Sequence, residues 1–333
     1  MTRYAIIGYK NTIAKNILEL LALRGVEKHD VCVFEDKLHG NPTISFGEED
    51  MTVLPLTELK PQDFDAVIIT GRMNPAVHQA EKYAAAGAKV IDASFAFGNG
   101  EDIPMIVGGV NDNLLASAKN FITMPHPYVV QLLGALGEIH KKYRIKNIRL
   151  SAYIAADMEE QDGMSELYNH TRRILMNDTA NASDGLFHKN MAFNIIPQTG
   201  TFIGEETTGE WIFNAHCKQV LGAEVKVHAN CACVPAFVGL GLFANIETAE
   251  DIDASDVEAD LKKTKGVSFL DKREDGGYFS LTETQGENSI FLSRLRQDVT
   301  VENGISLWIA GDSYRIAAQN ILAVLKQFLK KEK

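Results

Sequence analysis

Along the first third of the chain, short runs of consecutive apolar residues alternate with stretches in which apolar residues recur every three or four positions. Tyr4-Ala5-Ile6-Ile7 ends at Gly8, after which Ile13, Ile17, Leu18 and Leu21 follow helical spacing until Gly25. Buried parallel strands read as unbroken apolar runs, whereas a surface helix keeps a stripe of period 3.6. On that rule residues 31–34, 66–69, 89–92 and 105–110 are further strands. Asn74-Pro75 opens a helix, with Asn as cap and Pro in the first turn, and Gly87 closes it. The alternation predicts an α/β fold with a parallel, nucleotide-binding-type sheet ending near residue 124.

Beyond that point the pattern changes. A helix is predicted over 125–143, on Val130, Leu132, Leu133, Leu136 and Ile139, followed by strands at 148–155 and 225–232. Helices at 164–176 and 210–221 complete an α+β segment, and the run 157–162 (Asp-Met-Glu-Glu-Gln-Asp) reads as an acidic loop. A last helix, 313–329, carries Ile316, Ala317, Ile321, Leu322 and Leu325 on one face and is expected to pack back on the first domain. The domains expected are therefore 1–124 with 313–333, and 125–312. Arg294 and Arg296 alternate on a strand and read as structural or interface residues.

Composition narrows the function classes. Apolar residues make up 45% and charged residues 23% of 333 positions, enough for a sizeable core. Lys plus Arg (33) against Asp plus Glu (44) leaves −11, which disfavours a nucleic-acid or anionic-membrane surface. The lysines at 330, 331 and 333 read as a solvated helix end. The longest uncharged apolar-rich stretch, 231–246, is too short to span a bilayer and contains Pro235, Gly239 and Gly241. Four cysteines without a CxxC pair suggest neither a disulfide scaffold nor zinc. A cytoplasmic protein with no metal, no nucleic acid and no membrane partner is expected.

The candidate nucleotide site is the turn after the first strand, Gly8-Tyr9-Lys10-Asn11-Thr12-Ile13-Ala14. A dinucleotide fingerprint needs bare backbone amides at a helix start, and one glycine of the usual three remains. Gly8, Lys10, Asn11, Thr12 and Ile13, with Lys37 at the end of the second strand, form a degraded loop for NAD(P); a plain strand–turn–helix reads equally from the same residues. Glu35 and Asp36 fit ribose hydroxyls or an ordinary turn.

Four segments carry a resemblance: residues 90–97 (VIDASFAF), 192–198 (AFNIIPQ), Arg294-Leu295-Arg296, and 301–308 (VENGISLW). In order and spacing they resemble the aspartate-semialdehyde dehydrogenases over essentially the whole chain. The resemblance implies a Rossmann-like NAD(P)-binding-type domain, an α+β catalytic and dimerisation-type domain, and a homodimer. It also implies reduction of an acyl phosphate to an aldehyde through a cysteine thioester, with hydride from NADPH.

Position by position, the chemistry implied by the resemblance is missing. The nucleophile falls on Pro127 of Met124-Pro125-His126-Pro127-Tyr128, and the general base falls on Leu240. The orienting glutamine falls on Ile154, and the arginines that grip substrate fall on Val238 and Gly98. A Glu-Glu-x-Lys motif reads Gly209-Glu210-Trp211-Ile212. A Ser-Gly-Ala-Gly loop beside the cofactor reads Asp157-Met158-Glu159-Glu160, whose three carboxylates would repel a cofactor phosphate, and a late Lys-Gly pair reads Ile316-Ala317.

Loss of the site on a kept scaffold is similar to the non-catalytic Usg-type paralogues of that family. The expectation is a dimeric pseudoenzyme with an interaction or regulatory role, binding NAD(P) weakly or not at all. Two alternatives stay open. One is an NAD(P)-dependent oxidoreductase with thiol-free chemistry acting on an aldehyde or oxo group, with His126 as the residue to test. The other is a sensor binding an uncharged ligand among Ile154, Ile212, Val238 and Leu240. Cys231 and Cys233, on one strand face, read as core residues, and His188, His216 and Cys217 as surface or packing residues.

Overall fold

A computed structural model describes residues 2–71, 74–95, 103–177 and 185–330. Gly98 and the lysines at 331 and 333 lie outside the described residues. The chain divides into two units, 1–130 with 317–333, and 131–316; each is described by itself.

The first unit is built on seven strands. In chain order it runs β1 (Tyr4–Ile7), α1 (Thr12–Leu23), β2 (Val31–Glu35), β3 (Thr43–Phe46), β4 (Glu49–Pro55), β5 (Ala66–Thr70), α2 (Ala80–Ala85), β6 (Lys89–Ala93) and β7 (Phe121–Thr123). The sheet order is β3-β4-β2-β1-β5-β6-β7, parallel except for the β3–β4 hairpin at one edge. Ala5, Ile7, Val67, Ile69 and Val90 pack on Phe34, Phe64 and Tyr83 in one core, because strands covered on both faces present apolar side chains to each.

In the second unit, α3 (Pro127–Tyr143, entered from the first unit) leads into β8 (Ile145–Ile154) and α4 (Glu160–Leu175). There follow β9 (Phe202–Ile203), β10 (Glu206–Thr207), α5 (Thr208–Leu221), β11 (Lys226–Cys233) and β12 (Leu240–Thr248). Then come α6 (Ala254–Leu261), β13 (Val267–Phe269), β14 (Ile290–Gln297) and β15 (Gly304–Gly311), and α7 (Ser313–Lys330) returns to the first unit. The six-stranded sheet has the order β11-β8-β12-β15-β14-β13. Its 301–308 motif is structural: a Cβ on Gly304 would meet Val301 at 2.3 Å. Trp308 lies over Gly241 and donates its indole N–H to Phe279 O at 3.0 Å.

Several expectations are corrected. Residues 105–110 are not a strand: Met105 makes one bridge to Thr123, and the Asn111 side chain then takes the Val107 N–H at 2.9 Å, bending the chain at Gly109 (φ +79°). The helix expected over 74–87 is a 3₁₀ segment, Pro75–Gln79, before the short α2. The acidic run is not a loop but a 3₁₀ turn, Ala156–Glu159, running into α4. Arg294 and Arg296 are both exposed, yet simple alternation is broken by a bulge with Arg294 at φ +57°. The β3–β4 hairpin was invisible to periodicity because its exposed edge strand carries little apolar pattern.

Candidate functional site

In the first unit, the turn from β1 to α1 lies where the strand order reverses, the usual place for a ligand in an open parallel sheet. Gly8 adopts φ +97°, and a Cβ there would fall 2.4 Å from Thr70 O. The glycine is therefore required by the approach of β5, with or without a phosphate. The Thr70 hydroxyl donates to Ile7 O (2.8 Å) and Gly8 O (3.0 Å), tying the two strand ends together. Asn11 is the N-cap of α1, its side-chain oxygen taking the Ile13 N–H at 2.9 Å. That places a side-chain carbonyl over the helix start, where an incoming anion would seek bare amides.

Thr12 is half-buried and accepts Asn16 Nδ2 at its carbonyl, and Ile13 is core. Lys10 is exposed with its ammonium 5.8 Å from the Tyr9 ring centre, and Lys37 is exposed in the turn after β2. Glu35 turns its carboxylate onto the Asp36 N–H at 3.1 Å.

The start of α3 also belongs to the first unit. His126 is the cap: its carbonyl accepts the Val129 and Val130 N–H groups, and Nδ1 lies 3.4 Å from the Tyr128 N. The imidazole stands between Phe95 and Tyr128, at ring-centre distances of 4.8 and 4.2 Å. Pro127, the first helical residue, is buried. Proline suits that position because its missing N–H would have no helical partner there.

In the second unit, the residues on which the resemblance sets the base and the orienting amide are cross-strand neighbours: Leu240 on β12 pairs with Ile154 on β8, and both are fully buried. The Gln131 side chain donates to Leu240 O at 2.9 Å. Glu210, the remaining acid of its motif, closes a capping box at the start of α5 with Thr207 N–H (2.7 Å) and also accepts the Cys231 N–H (3.2 Å). Ile316 and Ala317 are buried in α7.

The acidic run shows what periodicity could not. Asp157 is buried, accepts the Gly239 N–H at 3.1 Å, and sits near Asp312. Burial, aided by that neighbouring carboxylate, pushes its pKa up to about 8. Of the three carboxylates expected to face a cofactor phosphate, Asp157 is thus the one that burial pushes toward its neutral form. The turn is pinned further by Asp157 N–H to Phe237 O (3.0 Å) and Ala156 N–H to Ala236 O (2.9 Å). Glu160 has φ +52°, ψ −139°, a conformation at home only to glycine. In the resembled family, this position is the last glycine of the loop.

All four thiols are pushed up by burial: Cys32 on β2, Cys217 within α5, and Cys231 and Cys233 on β11, the last two to about 12. Cys231 and Cys233 do share the buried face of their strand, and Cys233 Sγ lies 3.2 Å from Met158 Sδ. His216 is buried, which pushes its pKa down to about 4, while His188 is exposed. Among the described residues no group of three His, Cys, Asp or Glu side chains could hold a metal, and no helix is long and apolar enough to cross a membrane.

A family model described as "Semialdehyde dehydrogenase, dimerisation domain" matches residues 110–316. The chain is 29% identical over 330 residues to the aspartate-semialdehyde dehydrogenase of Rickettsia bellii, covering 98% of this chain and 97% of that protein. It is 27% identical over 322 residues to that of Bacillus subtilis, covering 93% and 92%. Among solved structures, aspartate semialdehyde dehydrogenase II of Vibrio cholerae, complexed with ASA, superposes with a TM-score of 0.91 at 24% identity, over 99% of this chain and 98% of that one. A probable aspartate-semialdehyde dehydrogenase from Pseudomonas aeruginosa gives 0.90 at 22%, over 99% and 98%.

Proposed function

The chain belongs to the semialdehyde dehydrogenase family, and we propose that within it this protein is a dimeric, non-catalytic member of the aspartate-semialdehyde dehydrogenase type, akin to the Usg-type paralogues, with an interaction or regulatory role. The observation that carries this reading is the absence of an activated thiol. The helix start at which the family holds its nucleophile is Pro127, and burial pushes every one of the four cysteines of the chain away from the thiolate. Proline has no side-chain nucleophile and forms no thioester. Leu240 and Ile154, on which the resemblance sets the base and its orienting amide, pair across β12 and β8 and offer only hydrocarbon.

Loss of a nucleophile or base from a coupled unit costs on the order of 10⁶ in rate, and here both are gone. The purified protein is expected to show no turnover of aspartate semialdehyde with phosphate and NADP, and Pro127→Cys alone is expected not to restore it. Turnover by the parent chain within about 10³-fold of an active relative would overturn the reading.

NAD(P) is expected to bind weakly or not at all. Asn11 caps the helix start that a pyrophosphate would use, and Glu159 and Glu160 fall, by the resemblance, on the loop beside the cofactor.

One observation favours a second reading. His126 places an imidazole at the start of α3, between two aromatic rings. An NAD(P)-dependent oxidoreductase with thiol-free chemistry on an aldehyde or oxo group would use it. Calorimetric titration with NADPH and NADH decides between the two. A dissociation constant below about 100 μM, worth more than about 5 kcal/mol, with activity abolished by His126→Ala, favours the second reading. No heat with either cofactor removes hydride chemistry.

A further inference from the structure

We infer that the concave surface between the C-terminal ends of α3 and α6 is a binding site for a small, multiply charged phosphate compound. The concavity measures about 530 Å³ and lies wholly in the second unit, lined by Lys141, Lys142, Lys263 and Lys265 together with Glu138, Asp260 and Thr264. Every one of these side chains ends in a charge or a hydroxyl carried on an apolar stem, so charged tips ring a hollow partly walled by hydrocarbon. Four ammonium groups against two carboxylates leave two positive charges in excess, in a chain whose net charge is −11.

The lysines divide into two pairs. Lys142 Nζ lies 2.6 Å from Asp260 and Lys141 Nζ lies 2.9 Å from Glu138. Both belong to the last turn of α3, where cations offset the helix dipole without any ligand. Lys263 and Lys265 have no such employment. They lie beyond the last residue of α6, Leu261, and make no ion pair among the described residues. The helix end is already satisfied: Asp260 O accepts the Lys263 N–H (3.0 Å) and the Thr264 hydroxyl (3.1 Å), and Leu261 O accepts the Thr264 N–H (3.1 Å). Neither ammonium is needed as a cap, yet both line the same hollow.

The chemistry of the donors selects the class of ligand. Arginine grips carboxylate or phosphate through a planar, bidentate fork, whereas lysine binds phosphate as a compact point charge, so clustered ammonium groups suit a ligand that carries several linked phosphates more than one planar carboxylate. No arginine lines the hollow. Its volume falls in the range of small-molecule sites and accommodates two or three linked phosphate groups.

The test is calorimetric titration of the intact 333-residue protein with inorganic pyrophosphate and with tripolyphosphate at low salt. Saturable binding is expected, weakening steeply as salt is added. Lys263→Ala/Lys265→Ala should weaken it about tenfold or more, whereas Lys218→Ala/Lys226→Ala, an equal loss of charge elsewhere, should not. Glu138→Gln/Asp260→Asn should strengthen binding several-fold, a gain that no merely structural role of these residues would produce. Absence of saturable binding by the parent protein overturns the assignment, as does binding indifferent to the change at Lys263 and Lys265. Thermal melts of each variant check that the fold is kept.

Discussion

Two strand-to-helix turns, one in each unit, solve the same geometric problem in opposite ways. At Gly8 the backbone takes a left-handed conformation on a glycine, the helix that follows is capped by Asn11, and the close approach of Thr70 leaves no room for any Cβ. At Asp157–Glu160 the left-handed position is held by a glutamate, the cap position Glu159 makes no side-chain bond to α4, and the turn is instead tied by a buried carboxyl to Gly239. The first turn is relaxed and consistent with its residues. The second keeps a glycine-like backbone under side chains that do not favour it. Surrounding hydrogen bonds can thus hold a conformation that the residue itself does not favour.

Four substitutions test this contrast. Gly8→Ala should have the largest effect, because the added carbon must displace Thr70 O from 2.4 Å while the backbone stays at φ +97°. A loss of about 3 kcal/mol or more is expected in denaturant unfolding. A loss below about 1 kcal/mol would mean that β1 and β5 can part easily.

Asp157→Asn comes next, and its effect depends on pH. The carboxyl is raised from 3.8 to about 8 in the folded protein, so between those values the folded state holds a proton that the unfolded chain has released. Stability from this group is full below about pH 4, falls as pH climbs toward 8 and is flat above, with a slope of up to about 1.4 kcal/mol per pH unit. The parent protein should show that decline in unfolding experiments across the window, and the asparagine variant should lose most of it. Equal slopes for the two proteins would place the charge of Asp157 in water.

Asn11→Ala removes the cap of α1 and should cost about 1 kcal/mol. If nucleotide affinity rises in this variant, the side chain was masking the helix start. Glu160→Gly is the smallest change and opposite in sign. Release of the strained φ, partly offset by the entropy of glycine in the unfolded chain, should stabilise by about 0.5 kcal/mol. Destabilisation here would show that the Glu160 side chain contributes more than its backbone costs.

The parallel sheet was legible because burial on both faces writes itself as unbroken apolar runs, and Tyr4–Ile7, Val31–Glu35, Ala66–Thr70 and Lys89–Ala93 all lie within a residue of their expected ends. The proposed loss of the site was legible through Pro127, Leu240 and Ile154, the residues on which the resemblance sets the nucleophile, the base and the orienting amide. Less was legible where function depends on surroundings. Asp157 reads as one more solvated acid in a charged run. The groups it meets in the fold, the Gly239 N–H 82 residues away and the carboxylate of Asp312, are remote in sequence.

The sequence by itself determined the α/β alternation, the family and the identity of the residues at the candidate site, because periodicity and side-chain chemistry are local properties. Only the tertiary structure decided that Gly8 serves the approach of two strands, that Asp157 is buried with its pKa pushed up, that Glu160 is strained, and that lysines from two helix ends face one hollow. Close approach, desolvation and the summing of charge all depend on distances between residues far apart in the chain, and those distances exist only once the chain has folded.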